Sequence, residues 1–297
     1  MSEMEDLRAA VRDLLTTHAP ARSALQDDPS VWKRLSTEMG LTGLPVEEVP
    51  WSWVTTVVEE TGRVLLRAPY LSTVVAAAAL HEAGAPLEGL ADGSLTAALA
   101  LDGSLEAVPH AGTSDLLLVS DGDDLVVVDD FTATPVEHID VTRPFASVVI
   151  DSPGRVVGKD SYARDLHWSA LAAESVGSAQ AVLELTVEHL KVRQQFGRPL
   201  GSFQALRHRV ADLTVLVEGA RSSAWYAATD LSAAPLAKVV AADAFVAVAG
   251  ECIQLFGGIG FTWEHDAHLY FKRAWTTALA NGDSASLRAL AFDRSGA

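Results

Sequence analysis

KVRQQFGRPLGSFQALRHRVADL, residues 191–213, decides how this chain is put together. A helical spacing of apolar residues runs into it, stops at Gly197-Arg198-Pro199-Leu200-Gly201, and resumes at Ser202. Glycine and proline interrupt a helix, one through backbone freedom and the other through its missing N–H. Two long helices therefore meet at a tight turn. Arg193, Phe196 and Gln204 flank it, and a bare helical hairpin needs none of them. Either they decorate a solvated cap, or they hold something anionic and planar.

Working outward, helical stretches are predicted at 161–192, 203–230, 235–256 and 265–280, joined by short glycine- or proline-containing breaks. Long helices with short connections pack as an antiparallel bundle, so 161–297 reads as a C-terminal four-helix bundle. Residues 93–160 differ. LTAALALDG, DLLLVSDGDDLVVVDD and FASVVID are short β-branched runs between Asp-Gly turns, and SDGDDL is a hairpin signal. They predict a small antiparallel β domain. Residues 1–92 predict an N-terminal helical domain, through EDLRAAVRDLL, DPSVWKRLSTEMG (an Asp-Pro-Ser start and a Gly40 stop), VTTVVEETGRVLL and YLSTVVAAAALHEAG. Glycines 40, 62 and 84 mark helix ends or close contacts. The fold class is thus α+β and multi-domain.

A formal charge of −17 over 297 residues argues against nucleic acid or an anionic membrane surface as partner. A local basic pocket for a small anion remains compatible with it. One cysteine, Cys252, excludes an internal disulfide, and no Cys/His spacing predicts a metal. His265, Asp266 and His268 read as helix-start and packing residues. The N-terminus lacks the apolar core of a signal peptide, and the apolar run at 74–80 is too short to span a bilayer, so a cytoplasmic location is expected.

The second informative segment is ECIQLFGGIGFTWEHDAHLYFKRA, where Gln254 ends a helix before Gly257, Gly258 and Gly260. Together with residues 192–213 it resembles the two signature segments of the acyl-CoA dehydrogenase family. WKRLSTEMGLTGLP, VVEETGR and APYLSTVVAAAAL resemble that family's N-terminal helical domain. The resemblance covers nearly the whole chain and the order of its units. It implies FAD shared across a subunit interface, with Arg193, Phe196, Gln204, Gln254, Gly257 and Gly258 gripping the adenosine and diphosphate half of a neighbour's cofactor. A guanidinium suits a diphosphate through charge-assisted hydrogen bonds.

The resemblance also implies a glutamate base that takes the α-proton of an acyl-CoA. Counted from the Gly-Gly-x-Gly-Phe motif, its position is Asn281, followed by Gly282, and an amide is no base. The family's alternative position, on the first bundle helix, falls near His167. His167, Glu174 and Asp283 are the displaced-base candidates, with His167 and Glu174 read otherwise as a helix or interface residue and a solvated or paired acid. The segments that would hold this chain's own flavin ring are altered, to LTAALALDGSLEAVPHAG and VEEVPWSW, where Trp51 and Trp53 cover an apolar surface or mark a subunit contact. Loss of the ring-side elements beside an intact diphosphate grip resembles the short, non-catalytic subunit of α2β2 actinobacterial steroid-type acyl-CoA dehydrogenases. This implies a catalytic partner that carries the glutamate and binds most of the acyl-CoA. A flavin-free structural subunit and a self-sufficient enzyme with a displaced base stand as alternatives.

Overall fold

A computed structural model describes residues 3–47, 49–87 and 89–295. Four helices open the chain: α1 (Glu3–His18), α2 (Pro29–Lys33), α3 (Trp51–Arg63) and α4 (Tyr70–Glu82). The Asp-Pro-Ser signal acts as expected, with Asp28 accepting from Ser30 N at 2.9 Å and Pro29 in the first turn. The helix it starts is shorter than predicted. After Lys33 the backbone widens into a π-turn over Arg34–Glu38, with Met39 N bonding Arg34 O at 3.0 Å, before Gly40 turns away at φ +68°. Arg8 and Arg12 of α1 reach the buried Glu60 carboxylate at 3.0 and 2.7 Å and dock α1 on α3.

Seven strands follow: β1 (Ala97–Ala100), β2 (Val108–Pro109), β3 (Leu116–Asp121), β4 (Asp124–Val128), β5 (Phe131–Val136), β6 (Phe145–Ile150) and β7 (Arg155–Lys159). They form one sheet in the order β1-β3-β4-β7 and another in the order β2-β6-β5. SDGDDL makes the expected hairpin, pairing Asp121 with Asp124 around a loop that opens on Gly122 at φ +61°. Pairing is antiparallel throughout except for β1 with β3, which run parallel because the residues between them cross over through β2. The apolar inner faces, including Ala98, Leu117, Val119, Val128 and Val148, make a core between the strands.

The bundle comprises α5 (Asp160–Val192), α6 (Gln204–Thr229), α7 (Ala234–Phe256) and α8 (Ala267–Leu279), with a further α9 (Ser284–Ser295) packed on α7. Helix α7 is long and apolar enough to pass for a membrane span, and its burial among α5, α6, α8 and α9 accounts for that composition.

Helix α5 also carries the N-terminal unit, through an unusually close crossing with α3. A Cβ on Gly62 would lie 2.2 Å from Glu174 O, and one on Gly177 would lie 1.8 Å from Glu59 O. Only glycine lets the two backbones approach so far, and Ser178 Oγ seals the contact by donating to Gly62 O at 2.8 Å. Gly177→Ala is therefore expected to push α3 from α5 and destabilise the chain by about 1–3 kcal/mol, as overpacking does. Urea unfolding of the variant beside Gly219→Ala, whose Cβ meets open space, checks this; equal midpoints would refute the crossing.

Candidate functional site

The turn at 191–213 is a two-residue β-hairpin between helices. Strands β8 (Gln194–Gln195) and β9 (Arg198–Pro199) pair antiparallel, Gln195 opposite Arg198, with Phe196 and Gly197 at the tip. Their φ values, +53° and +77°, are both left-handed, the signature of a type I′ turn. Phe196 is 88% exposed. Its ring meets that of Phe203 edge-on at 6.1 Å, and Arg198 lies 4.0 Å over Phe203. Arg193, the residue after α5, has an exposed guanidinium with no hydrogen-bond or ion-pair partner among the described residues. Gln204 opens α6, exposed, with its amide 2.9 Å from His208 Nε2.

The Gln254 segment comes to the same end of the bundle. Phe256, in the last turn of α7, contacts the rings of His189 on α5 at 4.8 Å and of His265 at 3.9 Å. Gln254, Gly257 and Gly258 are exposed, and added Cβ atoms at the two glycines would meet nothing within 4 Å. The six residues singled out for a diphosphate thus share one solvent-facing end, beside Lys191, Arg198 and Arg207. An unpaired guanidinium, amides and open glycine backbone fit an anionic group with a planar extension.

Asn281, at the expected base position, and the three displaced-base candidates fall elsewhere. A cavity of about 200 Å³ lies between the middle strands and the bundle, and Asn281, His167 and Glu174 line it. Asn281 and His167, 114 residues apart in sequence, are hydrogen-bond neighbours there, Nδ2 to Nδ1 at 3.3 Å. Asn281 adopts φ +52°, a conformation asparagine tolerates, where the chain leaves α8. Trp168 Nε1 donates to its carbonyl at 2.7 Å, and the buried Lys238 donates to Ala278 O and Gly282 O on either side. Burial pushes Lys238 down to about 8. Burial, with the Arg143 and Lys238 charges, takes His167 from 6.5 to about 3, so it stands neutral.

Glu174 is neither solvated nor free. Both its oxygens accept from Arg143 Nη2, at 2.6 and 2.8 Å, and one also accepts from Arg273 Nη1 at 3.2 Å. Arg273, fully buried, donates through Nε to Asp140 at 2.6 Å and through Nη2 to Thr142 Oγ1 at 2.7 Å. Burial pushes the Asp140 carboxyl up, but Arg273 and Arg143 with Thr142 more than offset it, and it sits below the usual range. Asp283 lies outside the cavity. It is exposed and caps α9 by accepting from Ser286 N at 2.8 Å, a bond that lowers its pKa.

Sequence reasoning missed Asp140, Arg143, Arg273 and His110, the last held at φ +63° against the cavity. Each lies between apolar runs or on a helix, where a charge ordinarily faces water, and the ion pairs of Asp140, Arg143 and Arg273 join residues 31 to 133 apart. The other expectations resolve locally. Trp51 donates to Ser169 Oγ at 3.2 Å within the chain. Asp266 pairs with Arg22 at 2.7 Å, and His268 packs on Trp263. No group of three metal-ligating side chains occurs among the described residues.

The cavity falls below the roughly 300–1,000 Å³ of ordinary cofactor sites, so it does not fit a flavin ring together with an acyl thioester. The solvent-facing end does fit the other half of such a cofactor.

The sequence profile of the acyl-CoA dehydrogenase C-terminal domain matches residues 158–295. Over 295 residues the chain is 38% identical to acyl-CoA dehydrogenase IpdE2 of Mycolicibacterium smegmatis, covering 93% of each chain. Over 296 residues it is 39% identical to IpdE2 of Mycobacterium tuberculosis, covering 93% of this chain and 92% of that one. Among solved structures it superposes on a variant of the Tcur3481-Tcur3483 steroid ACAD with TM-score 0.90 and 27% identity, over 99% of this chain and 98% of that one.

Two outcomes follow from the buried charges. Glu174→Gln leaves Arg143 without a counter-charge, and a loss of about 3–5 kcal/mol in urea unfolding is expected; a loss below 1 kcal/mol would mean that water reaches Arg143. His167 binds a proton more readily unfolded than folded. Its contribution is therefore complete above about 6.5 and is lost as pH falls toward about 3. His167→Gln is expected to flatten the decline of the unfolding midpoint across that window.

Proposed function

The chain belongs to the acyl-CoA dehydrogenase family, and on that premise we propose that it is the flavin-supporting, base-lacking subunit of a heteromeric enzyme. In this reading Arg193, Gln204 and Gln254 hold the diphosphate half of an FAD whose ring lies in a catalytic partner. Phe196 offers the adenosine half a flat apolar face. The observation that carries the reading is one of direction: none of these residues lines the chain's own cavity, and all face solvent at one end of the bundle. A set arranged this way can reach a cofactor only in a neighbour.

The interior supports the same division. Asn281 and the neutral His167 occupy the two places where the family carries its base, and Glu174 is committed to two arginines. An amide, an imidazole of such low pKa and a doubly paired carboxylate are poor acceptors for an α-proton at neutral pH. The flavin, when bound, supplies the hydride acceptor for α,β-desaturation of an acyl-CoA. This chain's part is to hold its diphosphate and fix its register, while the partner supplies the carboxylate and binds most of the substrate. That the solved steroid ACAD combines Tcur3481 with Tcur3483 supports a hetero-oligomer and a steroid-derived acyl group, and α2β2 is the assembly this reading takes.

Arg193→Ala, co-expressed with the partner, is expected to assemble normally and to bind flavin about 10- to 100-fold more weakly, the usual cost of one charge-assisted hydrogen bond. Flavin absorbance of the gel-filtered complex reads it. Undiminished flavin in an intact variant complex would sink the diphosphate role. A yellow homo-oligomer of this chain, bleached by an acyl-CoA, would instead establish a base of its own.

A further inference from the structure

One titratable group at the solvent-facing end of the bundle has no part in the role proposed above. His189 lies in the last turn of α5, and the backbone N–H of Arg193 donates to its carbonyl at 2.9 Å. Side chains four residues apart leave a helix on one side, so the imidazole stands a turn behind the unpaired guanidinium. The residue is half-buried, and its ring meets that of Phe256, within the Gln254–Gly258 segment, at 4.8 Å. It thus adjoins both segments of the grip. Neither of its ring nitrogens has a hydrogen-bond partner among the described residues.

The other histidines of this end are already committed. His265, also against Phe256 at 3.9 Å, accepts from Ala267 N through Nδ1 at 3.1 Å, and a proton there would break that bond. His208 Nε2 lies 2.9 Å from the Gln204 amide. The carboxylates of the surrounding elements are taken too. Glu188 pairs with Lys191 on α5, Glu251 of α7 with Arg209 of α6, and Asp266 with Arg22, at 2.6, 2.7 and 2.7 Å. Arg207 of α6 donates to Gly201 O at 2.6 Å, and Tyr270 of α8 to Arg63 O at 2.6 Å. Burial, with the His265 and Arg193 charges, holds His189 below its ordinary value of 6.5, so the chain without an anion carries it neutral at neutral pH.

We propose that His189 takes up a proton from solvent when the diphosphate binds, and that its imidazolium then stands behind Arg193 as a second cation for the anion. This role rests on the reading of Arg193 as a diphosphate ligand. An anion held at Arg193 offsets the guanidinium and attracts a charge on the neighbouring imidazole. The Phe256 ring offers that charge a favourable face. Proton and cofactor are thereby linked. Binding tightens as pH falls through the raised value of the complex, and levels off below the value of the anion-free chain, where the proton is already present. The direction is opposite to that of acid unfolding, which releases a cofactor as pH falls.

FAD itself is the probe, since its diphosphate is esterified at both ends and does not titrate near neutrality, and the protein is the full chain in complex with its partner. A rise of about one unit at His189 makes FAD bind about tenfold tighter at about pH 5.5 than at about pH 8. Calorimetry in buffers of different ionisation heat is expected to show net proton uptake on binding. His189→Gln is expected to remove both the slope and the uptake, whereas His208→Gln keeps them. His189→Lys carries its charge across the range and is expected to bind tightly without a slope, which decides the matter should His189→Gln not assemble. Wild-type affinity that is flat or weakens with acid, or a slope that survives in either His189 variant, would overturn the proposal. The diphosphate grip would still stand in that case if Arg193→Ala loses FAD. Flavin kept in full by Arg193→Ala, or absent from the wild-type complex, would overturn both.

Discussion

Arg273 is the side chain around which the interior is arranged. It is fully buried on α8, yet it reaches Asp140 and Thr142 in the segment before β6, Glu174 on α5 and the carbonyl of Leu65 after α3. Every unit of the chain thus has a polar group committed to one guanidinium. Such a cluster is weak evidence of net stability, since desolvation cancels much of the attraction. Its effect is on geometry. Apolar packing tolerates small slides between layers, whereas a forked donor with fixed acceptors does not. The strand-bearing segment is therefore seated on the bundle in one register, and that register sets the walls of the cavity.

The same cluster separates the two faces of the molecule chemically. Inside, the buried arginines meet carboxylates, Lys238 is held by backbone carbonyls, and the carboxylate at the cavity floor is spoken for. Outside, at the joined ends of α5 and α7, cations gather on a chain whose overall charge is strongly negative. Under the proposed role, a long-range field that repels anions would surround a short-range site for one. Within about a Debye length, roughly 8–10 Å, the local cations decide, which favours a diphosphate already fixed in a neighbouring subunit over one diffusing freely.

Much of this was legible from residue patterns. The spacing in α5, α6 and α7 marked those helices nearly to the residue, and Asp121-Gly122-Asp123-Asp124 announced its hairpin. The residues proposed for the grip could be picked out because they sit in two short segments with fixed internal spacing. Strands β5 and β7 were not, since they are short and largely exposed and lack a clean apolar alternation. Helix α9 was hidden by its weak apolar stripe, and the parallel pairing of β1 with β3 is a property of the crossover rather than of either strand. Arg143, and the burial of its pair with Glu174, escaped for a plainer reason. Nothing in TRP or AAES tells a reader that an arginine and a glutamate will meet away from water, because that depends on where a sheet lands on a helix.

Phe196 shows a tension between folding and purpose at a single position. A type I′ tip asks for asparagine or glycine, and a bulky side chain with left-handed backbone costs about 1–2 kcal/mol. The hairpin meets that cost as the chain folds, so under the proposed role the ring would already be displayed to a partner and little ordering would remain to oppose association. An asparagine would make a more comfortable turn and present no flat face. Selection for stability alone would erase this residue, and selection for assembly would keep it, so the position measures which of the two has governed the turn.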